Sequence, residues 1–188
     1  MASILKRVET FSKEEIKNLI AENYKVLDKD LELIGGSLGT RGENLWDLIG
    51  IDKDKRLVLI DVELRYTDKI LYQILNRLDW AWEHIDSIAK IHPSYEINVD
   101  QIPRAIVVAP SYSPFFKKSI TYLTYRVRIN LFTYMYLESD AERGIFLEPL
   151  ETRVKYEHIL KGDSKDMKSI EVPHSTKVTT AEIMEFLH

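Results

Sequence analysis

The strongest constraint on the fold is a run of six almost entirely aliphatic residues, Leu57–Val62 (LVLIDV). Such a run is typical of a strand that is buried on both faces, as in the middle of a parallel or mixed sheet. Across residues 67–90 the apolar residues recur at three- and four-residue steps, which predicts a long helix with one broad buried face. Arg104–Ala109 (RAIVVA) then predicts the next strand. Strand, helix and strand in this order predict an α/β architecture around a central mixed sheet.

The other elements follow from capping signals, shorter apolar patterns and turn residues. Ser12 and Glu15 fit a capping box, so we expect the first helix to begin at Ser12 and to end between Asn23 and Leu27. Further patterns predict strands at 31–34, 45–52, 129–137 and 144–147, turns at 40–44 and 53–55, and a helix at 114–125. Thr179 with Glu182 predicts a short closing helix.

Length and composition predict one soluble domain over residues 1–188. We expect an N-terminal helix within 11–30, a core over 31–149 and a C-terminal extension over 150–188, in which residues 155–174 are charged. No apolar run is long enough for a signal peptide or a membrane span, so we expect a cytoplasmic protein without a membrane partner. The chain has no cysteine, which excludes disulfides and thiolate metal sites. The net charge of −4 argues against a partner bound by phosphate charge alone, although a local basic surface can still bind nucleic acid.

Three carboxylates fall on neighbouring predicted strands. Asp61 and Glu63 are two residues apart and therefore share one face, and a hairpin centred on Asp54 places Asp47 across from Asp61. Converging carboxylates repel each other unless a cation neutralises them, and Mg²⁺ or Mn²⁺ prefers such oxygen ligands. The alternative is that each acid is solvated or paired with a basic neighbour such as Arg65. Spacing alone leaves both interpretations open.

The segment 31–65 (LELIGGSLGTRGENLWDLIGIDKDKRLVLIDVELR) resembles the restriction-endonuclease-like PD-(D/E)XK nuclease superfamily, in its NucS-like and RecB-like branch. Asp47 matches the first acid of the motif, Asp61 falls at the second, and Gln73 matches a glutamine of the following helix. The later strands extend the resemblance to residues 31–149. It implies a central mixed sheet flanked by helices, and a nuclease that cleaves DNA with Mg²⁺ or Mn²⁺ bound by Asp47, Asp61 and Glu63, while Gln73 orients substrate or water.

Two positions depart from the family pattern. Glu63 stands where the family has a lysine that positions and activates the attacking water. A few restriction enzymes of this superfamily carry glutamate there and remain active, so the sequence leaves open whether the chain is an enzyme. Arg77 stands where this branch often has a tyrosine. The resemblance therefore implies the fold more strongly than it implies cleavage.

Candidate nucleic-acid contacts lie outside the acids. Arg41 and Asn44, in the turn before Asp47, could touch phosphate. Lys117 and Lys118 on a later helix form the best basic cluster, with Arg126 and Arg128 beyond it, although a solvated helix face explains such lysines as well. The five histidines are scattered without ligand spacing, which argues against a zinc site. For Glu32 we favour an exposed position on a strand, and for Trp82 we favour packing in the core.

Three hypotheses follow. The first is a metal-dependent DNA endonuclease or phosphodiesterase. The second is a catalytically inactive nuclease fold that serves as a nucleic-acid- or protein-binding module, which the missing lysine and the acidic composition favour. The third is a structural protein, expected to be a homo-oligomer, whose partner covers Trp80 and the aromatic strand at 129–137.

Overall fold

The structure is a computed structural model, and it describes residues 6–8, 11–35, 38–40, 43–67, 69–123, 127–139 and 143–150. Within these ranges the side chains of 38–40 and 43–45 are not described. All described residues belong to one compact unit, Met1–Val154. The closing helix predicted at Thr179 and the extension beyond residue 150 lie outside the described residues. Within the ranges given, no helix is both long and apolar enough to cross a membrane.

Nine strands and four helices are described, together with two short 3₁₀ turns. In chain order they are β1 Lys6–Arg7, α1 Lys13–Glu22, β2 Glu32–Gly35, β3 Leu38–Thr40, β4 Glu43–Trp46, β5 Leu48–Ile51, β6 Leu57–Val62, α2 Ile70–Glu83, α3 Ile85–Ile91, β7 Arg104–Ala109, α4 Pro114–Leu123, β8 Ile129–Glu138 and β9 Arg143–Leu150. The 3₁₀ turns are Tyr24–Val26 and Pro93–Tyr95.

The main sheet is mixed, with the order β2-β5-β6-β7-β8, and both β1 and β9 pair with β8. Strands β6, β7 and β8 are parallel, and every other pair is antiparallel. Strands β3 and β4 form a separate hairpin. The predicted α/β class with a central mixed sheet is therefore confirmed. The parallel strands place their carboxyl ends at one edge, where ligands of open α/β sheets commonly bind.

Strand β6 is buried along its whole length, as its aliphatic sequence predicts. Leu57 and Leu59 pack into a core that includes residues of α2, α3 and α4, whereas Val58 and Ile60 pack with α1 on the other face. Because successive side chains of a strand point to opposite faces, Asp61 is on the face of Leu57 and Leu59. Helix α2 covers that face, so a side chain of α2 can reach Asp61.

The prediction of one long helix over residues 67–90 is wrong, because the helix ends at Glu83 and a second one begins at Ile85. His84 takes a non-helical backbone conformation, its Nδ1 lies 2.8 Å from the Trp80 carbonyl oxygen, and its ring stacks on the Trp80 ring. Ile85 and Ile88 nevertheless continue the buried face. The apolar spacing is therefore maintained across the break, and the pattern could not reveal it.

The predicted second strand, 45–52, is also interrupted. A bend at Asp47 separates β4, which pairs with β3, from β5, which pairs with β6. The predicted strand at 144–147 is longer than expected, since β9 covers Arg143–Leu150 and pairs with β8 along its length. It includes Pro149, which has no backbone N–H to donate. Strand β9 tolerates this proline because, among the described strands, it pairs only with β8 and is an edge strand.

Candidate functional site

Asp61 lies near the end of β6 and is only 2% exposed. Its Oδ2 accepts a hydrogen bond of 2.8 Å from Nη1 of Arg77, which α2 projects over the sheet. The guanidinium also lies 6.0 Å from the ring centre of Trp46, within the range of a cation–π contact. The Trp46 indole N–H is buried and has no hydrogen-bond partner among the described residues, and the contact of Trp46 with Arg77 is made by its ring face. Arg77 is thus held between a buried carboxylate and a buried indole.

Asp47 occupies the bend between β4 and β5. Its backbone N–H donates to the Ile60 carbonyl oxygen, and its Oδ2 accepts the Val62 N–H at 2.8 Å. The same oxygen lies 2.9 Å from Nζ of Lys13. Lys13 is the first residue of α1, whose start is fixed by the capping box between Ser12 and Glu15 that the sequence predicts. The β5–β6 register continues the hairpin centred on Asp54, so Asp47 lies opposite Asp61.

Glu63 directly follows β6 and is half-buried. Its N–H donates to the Val108 carbonyl oxygen at 2.8 Å, which extends the ladder between β6 and β7. Its carbonyl oxygen accepts a hydrogen bond of 3.3 Å from the Tyr134 hydroxyl on β8. The backbone of Glu63 is therefore fixed by two neighbouring strands at the carboxyl edge of the sheet. We call Asp47, Asp61 and Glu63 the acid cluster.

The charges of the acid cluster act on one another. The pKa of Asp61 is raised to about 8, because the effect of burial and the smaller effects of Glu63 and Asp47 together outweigh the opposing effects of Arg77 and Lys13. The opposing effect of Arg77 does not overcome burial, so the Asp61 carboxyl keeps much of its proton at neutral pH. Burial together with Glu63 also raises the pKa of Tyr134, to about 12. Asp61 therefore shares its environment with two acids and two cations.

The acid cluster has the oxygen donors that Mg²⁺ or Mn²⁺ prefers. However, no three His, Cys, Asp or Glu side chains within the described ranges are arranged to hold a metal ion. One oxygen of Asp61 is bound by Arg77, and one oxygen of Asp47 by both Lys13 and the Val62 N–H. The donor chemistry therefore suits a divalent cation, but the arrangement of these residues does not fit one.

The other predicted site residues do not join the acid cluster. Gln73 is exposed on α2, and Arg77, one turn further on, is the residue that reaches Asp61. Lys117 and Lys118 are both exposed on α4. Arg41 and the side chain of Asn44 lie outside what the structure describes. Glu32 is exposed on β2, and Trp80 packs on His84.

The two cations of the site could not be identified from sequence patterns. The spacing suggested Arg65 as the basic neighbour of the acids, but Arg65 is exposed, and Arg77 takes this role instead. In the sequence, Arg77 is only a departure from the family pattern. Lys13 lies 34 positions before Asp47 in the sequence, and no local pattern links the two residues. Both contacts depend on how α1 and α2 pack on opposite faces of the sheet.

An open groove of about 280 Å³ lies beside the acid cluster, at the carboxyl end of β7. Tyr112 and Tyr134 line the groove, and the charges of the cluster reach both rings, since Glu63 contributes to the raised pKa of each tyrosine. Its other lining residues are Arg7, Pro110, Ser111, Lys117, Thr133, Met135, Phe146 and Glu148. Met135 and Phe146 are paired across β8 and β9 and are 41% and 48% exposed. The groove thus combines two cations with exposed apolar surface.

Comparison with known proteins gives only distant likenesses. No protein-family model matches the sequence, and no curated protein matches it. A repair endonuclease from Pyrococcus abyssi is similar at 26% identity over 64% of this chain and 46% of that chain, with a TM-score of 0.39. EndoMS bound to dsDNA and EndoMS in its apo form are each 18% identical over 65% of this chain, with TM-scores of 0.41 and 0.35. The aligned part covers less than half of each of these chains, and at such TM-scores the likenesses assign no activity.

Proposed function

We propose that this chain is a nucleic-acid-binding module on a nuclease-like fold, without metal-dependent cleavage of its own. The observation that carries the proposal is the groove beside the acid cluster. Arg7 and Lys117 line it, and neither has an ion-pair partner among the described residues. Two such cations within one groove are suited to successive phosphates of a backbone. Their position explains how a chain with net charge −4 can still bind a polyanion locally.

The apolar lining supports a single strand as the bound form. Phe146 and Met135 expose large apolar surfaces in the same groove as the cations. Bases of a single strand present their faces for stacking on an aromatic ring, whereas bases of a duplex are already stacked on each other. Glu148 also lines the groove and disfavours phosphate at that end. We therefore expect phosphates near Arg7 and Lys117 and a base on Phe146.

The inactive part of the proposal rests on the acid cluster. Metal-dependent hydrolysis of a phosphodiester requires an ion that polarises the phosphate and acidifies the attacking water. Arg77 and Lys13 bind the two acids that would be its main ligands. Arginine stays protonated and cannot act as a base in place of the missing lysine. The cluster as arranged therefore supports the fold around the groove rather than hydrolysis.

Fluorescence anisotropy with labelled single-stranded and duplex DNA, in EDTA, tests the binding. We expect Arg7→Gln and Lys117→Gln each to weaken binding and to lower the slope of log K against log salt by about one. Phe146→Ala should cost about 1–3 kcal/mol with single strands and less with duplex. Lys53→Gln is the matched control, because Lys53 is exposed in the turn before β6, at the opposite end of that strand from Asp61. Equal binding by all five proteins would contradict the proposed groove.

A second candidate function is the divalent-metal-dependent DNA endonuclease or phosphodiesterase that the sequence resemblance implies. The observation in its favour is that Asp47 is hydrogen-bonded to the β6 backbone on both sides of Asp61, at Ile60 and Val62, and that Glu63 directly follows the same strand. Incubation with plasmid and single-stranded DNA in Mg²⁺ or Mn²⁺ distinguishes the two candidates. The inactive module predicts no cleavage by wild type or by Asp61→Asn. Cleavage that Asp61→Asn abolishes and Lys53→Gln retains would support the nuclease instead.

A further inference from the structure

The acid cluster contains two ion pairs that come from opposite sides of the sheet. Arg77 reaches Asp61 from α2, at 2.8 Å, and Lys13 reaches Asp47 from the start of α1, at 2.9 Å. Asp47 lies beside the end of β6, because its N–H donates to the Ile60 carbonyl oxygen and its Oδ2 accepts the Val62 N–H, so both cations act on the group of acids around Asp61. The influence of Lys13 extends beyond Asp47, because it also lowers the pKa of Asp61.

We propose that Arg77 and Lys13 are built-in counter-ions that take the place of a divalent metal ion, so that the acid cluster is held together without one. Together they carry two positive charges, the charge that Mg²⁺ or Mn²⁺ would bring. They also bind oxygens of the same two carboxylates that an ion would need. The proposal concerns the charge balance of the cluster and does not depend on the nucleic-acid groove.

Both cations are held in place by the structure. The Arg77 guanidinium is bound to Asp61 and lies over the Trp46 ring, which is 1% exposed. Lys13 follows the helix cap at Ser12, so its backbone is fixed where α1 begins. A buried carboxylate without a counter-charge is strongly unfavourable. Each cation occupies a carboxyl oxygen of the cluster, so its removal frees that oxygen and leaves the cluster with one positive charge fewer.

The cations also explain why a divalent ion is not expected in the wild type. An ion between Asp47 and Asp61 would lie within a few ångströms of the Arg77 and Lys13 charges. Like charges that close repel each other strongly in a partly buried site, where the effective dielectric constant is well below that of water. Removal of one cation should therefore lower this repulsion and release an oxygen at the same time. The proposal predicts that the wild type ignores the metal and that the loss of either cation creates a metal site.

Calorimetric titration and thermal unfolding of the full chain with MnCl₂ or EDTA test this directly. We expect the wild type to show the same Tm in both, with no saturable binding. Arg77→Gln and Lys13→Gln should each gain Mn²⁺ affinity by roughly tenfold or more, with a Tm that rises in Mn²⁺. Lys17→Gln is the matched control, because Lys17 is on the same helix as Lys13 but pairs with Glu14. It should behave as the wild type does.

Two results would overturn the proposal. One is saturable Mn²⁺ binding by the wild type that Asp61→Asn removes. The other is a failure of both variants to bind Mn²⁺ more tightly than Lys17→Gln does. Lys13 has a 42% exposed side chain, so Lys13→Gln provides a folded test protein if Arg77→Gln fails to fold. In Asp61→Asn/Lys13→Gln the gain should disappear, which assigns the new site to the cluster. None of these measurements involves nucleic acid, so they are independent of the proposed binding function.

Discussion

Replacement of Asp61 by asparagine should change how the stability of this protein depends on pH. Burial raises the pKa of Asp61 to about 8 from an ordinary value of 3.8, a difference of about four pH units. Between these values the folded protein retains a proton that the unfolded chain has lost. Its free energy of unfolding should therefore fall as pH rises through this range and level off above about 8. Asparagine has no such proton, so the variant should lack this component.

The size of the effect follows from the same difference. Each pKa unit corresponds to roughly 1.4 kcal/mol, so the full range is worth up to roughly 6 kcal/mol. Other titrating groups are shared by the two proteins and largely cancel in the comparison. We expect the wild type to lose roughly 1 kcal/mol more per pH unit than Asp61→Asn between about pH 5 and about pH 7. The difference in the free energy of unfolding should therefore shift in favour of Asp61→Asn as the pH rises from about 5 to about 7.

Urea unfolding at several pH values measures this difference. The midpoint and the slope of each transition give the free energy of unfolding, and an unchanged slope shows that the two unfolded states are comparable. Parallel pH profiles for the two proteins would refute the reasoning, because they would mean that Asp61 releases its proton equally easily in both states. A wild type that gains stability over the variant as pH rises would refute it as well, since Arg77 would then outweigh burial.

Four further substitutions, one of them a control, test how the elements of the fold are held. Ser12→Ala removes the capping box of α1 and should cost about 1 kcal/mol in urea unfolding, and no measurable loss would contradict the cap. Gly50→Ala places a Cβ 2.6 Å from a backbone oxygen of β2 and should cost roughly 2 kcal/mol or more, whereas Gly144→Ala, with nothing within 4 Å, should be nearly neutral. Arg104→Met leaves the buried Asp52 without its counter-ion and should cost about 3–5 kcal/mol at neutral pH, and a loss below about 1 kcal/mol would show that Asp52 needs no cation.

Much of the fold could be predicted from local patterns, because local physics determines those elements. The helix that begins after Ser12 is fixed by two side chains within four residues of each other. Strand β6 is predicted by its own aliphatic run, and its hairpin with β5 by the polar turn at Asp54. That hairpin register was sufficient to place Asp47 opposite Asp61. The proximity of the two acids could thus be predicted without any knowledge of tertiary packing.

The basic partners of those acids, Arg77 and Lys13, could not be predicted in the same way. Arg77 reaches Asp61 because the connection after β6 places α2 over one face of the sheet, and Lys13 reaches Asp47 because α1 packs on the other. The sequence separations are 16 and 34 residues, and only the packing of the two helices brings these pairs together. The break at His84 was missed for the opposite reason, since the apolar spacing continues through it. Periodicity predicts which face is buried and says little about local backbone geometry.

A crystal structure of the wild type soaked in Mn²⁺, with anomalous diffraction data, tests the balance of charges in the acid cluster most directly. The account predicts no anomalous peak within about 2.2 Å of an oxygen of the acid cluster, and Arg77 still hydrogen-bonded to Asp61. A peak that bridges Asp61 to Asp47 or Glu63, with the Arg77 guanidinium displaced from the carboxylate, would contradict it.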